Sequence, residues 1–274
     1  GRGHALGQAA SPSCVEIAAL VRHYANGCER AGRDGMSKVL LNNVDHHDLR
    51  VIARGGRAFG DTVNQVLVYP TEFEAAAREF PILLRPDAEG RLRPVAVLGL
   101  ERDDNLFLGP DGSWQSAYIP AVLEAQPFAI AAAQATGELQ ILVDPDHPRL
   151  SRTTGAPLFL EHGGQAPALE AVLATLRSIY VGNGLLDPLV EALGAAGLLR
   201  PFDIQLRAGP DRAYAISDAQ TIDRERLAAL GGAELEALHR AGFLYSAFML
   251  AASLGNMQRL VDRMAQRAFA DAAA

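Results

Sequence analysis

Cysteine is almost missing from this 274-residue chain, and lysine nearly so. The two cysteines, Cys14 and Cys28, both precede Met36, and Lys38 is the one lysine. From Met36 onward a disulfide, a cysteine–zinc site and a cysteine nucleophile are therefore excluded. Long apolar runs are also missing. No stretch approaches the ~18 residues of a spanning helix, and the longest candidate, Ala241 to Leu254, is interrupted by Tyr245 and two serines. The beginning of the sequence lacks the basic region, apolar run and small-residue site of a secretory signal, so a cytoplasmic location is expected. Positive charge is scarce too, with a formal net charge of −7. An acidic chain without a basic cluster is a poor nucleic-acid ligand, because phosphate neutralisation supplies most non-specific affinity.

Reaction motifs are equally sparse. No serine sits in a Gly-x-Ser-x-Gly setting, and neither a phosphate loop nor a dinucleotide fingerprint occurs. No cofactor is expected, and the reading leans away from an enzyme. What the chain does have is an ordinary globular composition, 49% hydrophobic and 21% charged.

Residues 1–35 are rich in Gly, Ala and Arg, and the pattern changes at Met36. The expectation is that 1–35 are an upstream extension and that 36–274 form one domain. The alternative for the first segment is an amphipathic helix over Val15 to Tyr24. Four basic and three acidic residues precede Met36, which leaves the proposed domain at −8.

The first half of that domain reads as strands: Leu49–Ala53, Gln65–Tyr69, Pro81–Leu84, Pro94–Leu100, a short Asn105–Leu108, then Pro127–Ala133 and Leu139–Val143. Turn signals at Pro86-Asp87, Glu89-Gly90 and Pro110-Asp111-Gly112 punctuate them. Such close spacing calls for antiparallel pairing. The second half reads as helices over Ala168–Tyr180, Asp187–Ala195, Asp223–Leu230, Ala233–Ala241 and about 243–268, with Gly197 as a cap and Gly255 as a weak point. Phe202–Arg207 and Ala213–Ser217 form a hairpin around Gly209-Pro210-Asp211. The fold class is α+β, an antiparallel-rich mixed sheet followed by helices, with a subdomain boundary expected near 144–155.

Three clusters bear on function. Asp45-His46-His47-Asp48 pairs acids with imidazoles, but neighbours on an extended chain point apart, so a turn or surface role is expected. Asp144, Asp146, His147, Glu161 and His162 contain the two histidines and carboxylate of an iron site. Their spacing among Pro145 and Pro148 fits a loop better, and no metal is assigned. The third segment runs from Asn105 through Trp114, Tyr118, Pro120 and Phe128. Trp and Tyr combine apolar bulk with a polar handle, which suits packed corners and ligand pockets alike. These five are the candidate ligand-binding residues, with a protein or peptide as the expected partner.

The same segments carry a family resemblance. Leu40-Leu41-Asn42, His47, Glu72-Phe73, Phe80-Pro81-Ile82, Leu98-Gly99-Leu100 and Asn105-Leu106-Phe107 occur in order. Gly112, Trp114, Tyr118-Ile119-Pro120 and Pro127-Phe128 follow, then Leu198-Leu199, Pro201-Phe202, Ile222-Asp223, His239 and Ser253-Leu254-Gly255. Across Met36 to Met264 the chain resembles the SapC family, bacterial proteins named for a surface-layer association. It departs at Glu124-Ala125-Gln126, where relatives often carry basic residues, and at Asp218-Ala219-Gln220. The resemblance implies an accessory role and supplies no catalytic residue. It leaves three readings: a non-catalytic binding or accessory protein, a metal-dependent enzyme or oxygenase partner using the Asp144-His147-His162 region, and a surface-layer component.

Overall fold

The computed structural model describes residues 38–132, 139–207 and 213–273. The expected extension over 1–35, the connection between the Pro127–Ala133 and Leu139–Val143 strands and the turn at Gly209-Pro210-Asp211 lie outside the described residues. The architecture is α+β, with antiparallel sheets mainly early in the chain and helices mostly toward its end.

Eleven strands are described: β1 (Val39–Leu40), β2 (Arg50–Val51), β3 (Gln65–Leu67), β4 (Ile82–Pro86), β5 (Leu92–Val97), β6 (Phe128–Ala132), β7 (Leu139–Val143), β8 (Leu150–Ser151), β9 (Ala156–Pro157), β10 (Leu199–Arg207) and β11 (Ala213–Ile222). They form a five-stranded sheet ordered β10-β11-β4-β5-β3 and two three-stranded ones, β1-β7-β6 and β8-β2-β9. Every described pairing is antiparallel. The β4–β5 hairpin shows why the turn signals were legible. The Asp87 carboxylate accepts from the Glu89 and Arg91 N–H groups, and Gly90 supplies the positive φ.

The helices are α1 (Phe73–Glu79), α2 (Ala121–Glu124), α3 (Pro167–Asn183), α4 (Leu186–Ala195), α5 (Arg224–Ala228), α6 (Gly232–Arg240), α7 (Leu244–Ser253) and α8 (Met257–Ala273). α3 starts with Pro167, whose missing N–H costs nothing in a first turn. It buries Leu169, Leu173 and Leu176 at helical spacing. Gly197 stands after α4 with φ +65, and the Leu198 N–H returns to the Leu193 carbonyl.

Three expectations change. The strand reading of the first half passes over α1. The Asn105–Leu108 strand is instead a turn: the Asn105 side chain accepts the Phe107 N–H at 2.9 Å, which a ladder would have used. The last helix is divided by a 3-10 turn at Leu254–Asn256. Gly255 is a weak helix former, and the Asn256 amide donates to the carbonyls of Ala77 (2.7 Å) and Phe80 (3.2 Å).

Apolar packing gathers in two large clusters. One joins β4 and β5 to α1, α7 and α8 around Phe73, Phe80 and Phe107, with Phe80 edge-on to Phe107 at 4.7 Å. The other packs the β1-β7-β6 sheet on α3 through Phe128, Val143, Leu169 and Leu173. Leu67, Tyr69 and Leu186 lie between, touched by Val122 and Ile179. No described helix is long and apolar enough to cross a membrane.

Candidate functional site

The segment from Phe107 to Gln115 folds back on itself. The Gln115 N–H donates to the Phe107 carbonyl at 2.7 Å, and the Gly109 N–H to the Ser113 carbonyl at 2.8 Å. At the tip, the Asp111 carboxylate accepts from the Ser113 N–H (3.0 Å) and hydroxyl (2.7 Å). Those bonds hold it below the usual carboxylate range. Gly112 follows at φ +80, a conformation that disfavours any side chain.

This turn rests against the loop after β2. Arg54 donates through Nε (3.0 Å) and Nη2 (2.6 Å) to the Asp111 main-chain carbonyl. Behind that clamp two glycines meet backbone to backbone. A Cβ on Gly55 would lie 2.6 Å from the Gly112 carbonyl oxygen and 3.1 Å from Trp114 Nε1. Between the two segments is an open cleft of about 450 Å³, lined by Ala53, Arg54, Gly55, the 111–114 turn and Ile119. Its apolar surfaces are Trp114 and Ile119, and its charged groups are Arg54 and Asp111. Gly112→Ala is expected to cost about 2–4 kcal/mol, from left-handed strain plus a collision with Gly55. Urea unfolding would measure the loss, and the unique Trp114 would report a rearranged cleft.

Polar groups behind the cleft fix its walls. Asp61 is fully buried and accepts the Gly56 N–H at 2.9 Å. Arg149 Nη2 reaches both Asp61 carboxylate oxygens, at 2.6 and 2.5 Å. Its guanidinium also stands 5.5 Å from the Phe59 ring centroid. Burial pushes the Asp61 carboxyl up, and Arg149 opposes the shift. A second buried carboxylate, Glu72, accepts from the Tyr69 N–H (2.9 Å), the Ala121 N–H (2.9 Å) and the Tyr118 hydroxyl (2.7 Å). Burial raises it, and those hydrogen bonds pull the other way. Burial, with the Glu72 charge beside it, holds the Tyr118 hydroxyl protonated far above its usual range.

The five residues singled out from sequence therefore have different settings. Trp114 lines the cleft. Asn105 is 2% exposed, and its amide donates to the Asp61 carbonyl at 2.9 Å, directly behind one wall. Tyr118 is half-buried on Glu72. Pro120 opens α2, its carbonyl accepting from Leu123 and Glu124. Phe128 is 5% exposed and packs in the second cluster, opposite Val143 on β7.

Sequence reasoning passed over Arg54, Gly55, Asp61 and Arg149. Arg54-Gly55-Gly56-Arg57 was a readable turn signal. The Asp61–Arg149 pair spans 88 residues and had none. Glu72 did have one: Tyr69-Pro70-Thr71-Glu72 places Pro first and a carboxylate third in a helical start, where it can reach back to the Tyr69 N–H.

The acid–histidine clusters do not assemble. His46 is buried in a turn with Nδ1 3.2 Å from the Asn42 nitrogen, whereas His47 is exposed. His147 accepts the Arg149 N–H at 3.1 Å, and burial lowers its pKa. His162 is exposed on the 160–164 turn. Among the described residues no group of three or more His, Cys, Asp or Glu could hold a metal ion, Asp144, His147 and His162 included. The prolines that separate those residues keep them on different bends.

No curated protein and no solved structure matches the chain. A family model does, over residues 41–260, a span that includes the cleft, its buried supports and most of both cores. This chain belongs to the SapC family.

Proposed function

We propose that this SapC-family chain is a non-catalytic binding or accessory protein that seats a short peptide, or an exposed loop of a partner protein, in the Trp114 cleft. One observation carries the reading. The cleft places an aromatic and an aliphatic wall beside a cation and an anion, on a turn held from behind by buried polar bonds. That is the make-up of a small recognition pocket, mainly apolar with a few fixed polar groups. Arg54 spends Nε and Nη2 on the Asp111 carbonyl, and in this reading its Nη1 is the donor offered to a ligand carbonyl or carboxylate. Trp114 is the anchor in this reading. Asn105, Tyr118 and Pro120 hold the cleft, and Phe128 serves the second apolar cluster.

A random-peptide library selected on the folded protein tests this, since the single Trp reports the cleft by its own fluorescence. Selected peptides should shift the Trp114 emission. Trp114→Ala should weaken them by roughly 30-fold, the cost of an aromatic hot spot, with the unfolding transition kept. Peptides that bind wild type and Trp114→Ala equally would place recognition elsewhere.

A further inference from the structure

The C-terminal helix reaches the base of the Trp114 turn, at residues 104–107 and Gln115. Leu260 and Met264 on α8 are buried in the larger core, so the helix is anchored along one face. Arg263 and Arg267 project from the adjoining face, four residues apart. Arg263 Nη2 donates to the Gln115 carbonyl at 2.6 Å, and its Nη1 lies 3.5 Å from the Leu106 carbonyl. Its guanidinium stacks over the Phe107 ring at 4.5 Å. Arg267 pairs with Asp104 at 2.6 Å. The two arginines thus grip residues 104–107 at the entry of the Trp114 turn and Gln115 at its exit. Arg259, one turn earlier, donates instead to the Arg78 carbonyl at 2.8 Å and touches nothing on the turn.

We infer that Arg263 is a positioning residue for the Trp114 cleft, and that docking of α8 is coupled to binding there. The inference rests on the cleft being the recognition site. Phe107 and Gln115 are the two residues whose main-chain bond closes the turn, and Arg263 contacts both. Losing it frees the ladder that aims Trp114 while leaving the apolar seat of the helix in place. By reciprocity, a ligand that tightens the turn also tightens the helix.

The experiment compares Arg263→Met with Arg259→Met, both keeping a long apolar side chain. Hydrogen exchange at the Gln115 and Gly109 amides is read first, with no ligand present. Removing charged hydrogen bonds should increase local opening about tenfold or more in Arg263→Met, and the Arg259→Met protein should match wild type at those amides. Acrylamide quenching of Trp114 should rise in step. Peptides selected on wild type should bind Arg263→Met at least several-fold more weakly, with part of the affinity restored in Arg263→Lys. Equal loosening by both methionine variants, or unchanged exchange in Arg263→Met, would overturn the inference. So would a loosened turn with unchanged peptide affinity. Failure of the binding reading looks different: wild type then selects no peptide that moves the Trp114 emission, whatever the exchange data show.

Discussion

Asp61→Ala is expected to lower the free energy of unfolding by about 3–5 kcal/mol, the usual cost of removing one partner of a buried ion pair. Asp61 has no exposed surface, and Arg149 is nearly as deep. The guanidinium would keep its charge, since arginine does not deprotonate in proteins, and would lose both carboxylate bonds. Among the described residues, only the Leu123 carbonyl at 3.4 Å and the Phe59 ring would remain as partners. Arg149 Nε already lacks a hydrogen-bond partner among the described residues, so this cation has little spare stabilisation. The loss should appear as a lower urea midpoint with an unchanged slope. The double variant Asp61→Ala/Arg149→Met should recover much of it, because replacing both charges by apolar groups is often close to neutral. A double variant as unstable as Asp61→Ala would show that the carboxylate acts mainly through the Gly56 N–H. The cleft should change in either case, since the wall around Gly55 loses its anchor at Gly56.

Glu72→Ala is expected to cost about 2–6 kcal/mol, because two buried N–H groups lose their acceptor at roughly 1–3 kcal/mol each, with the Tyr118 hydroxyl adding little. Tyr118 is half-buried and can turn toward water. Glu72→Gln is the more informative partner. Burial raises the Glu72 pKa above its ordinary 4.5, so the folded state holds its proton to a higher pH than the unfolded state does. Between the ordinary and the raised value the native protein binds more protons, and stability falls as pH rises through that window. A glutamine does not titrate. The stability of wild type relative to Glu72→Gln should therefore fall as pH rises through the window. Urea midpoints taken from acid to neutral pH would measure this. A wild type that gained stability over Glu72→Gln with rising pH would mean that the three donors outweigh burial and that the carboxylate is native in its charged form.

Much of the fold was legible because its signals are local. Alternating Val, Leu and Ile between Asp- and Gly-containing turns marked β3 to β7. Leucines at three- and four-residue spacing marked α3 and α4. Gly255 marked the break before α8. The Asn105 turn was hidden because a side chain, not the ladder, takes the Phe107 N–H. α1 was passed over because seven residues give little periodicity to read. Of the candidate site, the sequence marked Trp114 and the Asp111-Gly112 turn, but not the segment that faces them. Arg54 and Gly112 belong to turns 58 positions apart, and nothing in either stretch names the other.

By itself, then, the sequence determined the family, the α+β class, the antiparallel pairing, and a region from Met36 onward without disulfides or thiol chemistry. These follow from composition and from periodicities a few residues long, which the backbone imposes wherever the chain goes. Tertiary structure alone decided that Asp61 meets Arg149, that Glu72 gathers Tyr69, Tyr118 and Ala121, that Gly55 touches Gly112, and that Arg263 reaches Gln115 across 148 positions. Each of those contacts needs charge or shape to match between segments brought together by packing. Many residues of the right type are present, and only the route of the chain selects the pair.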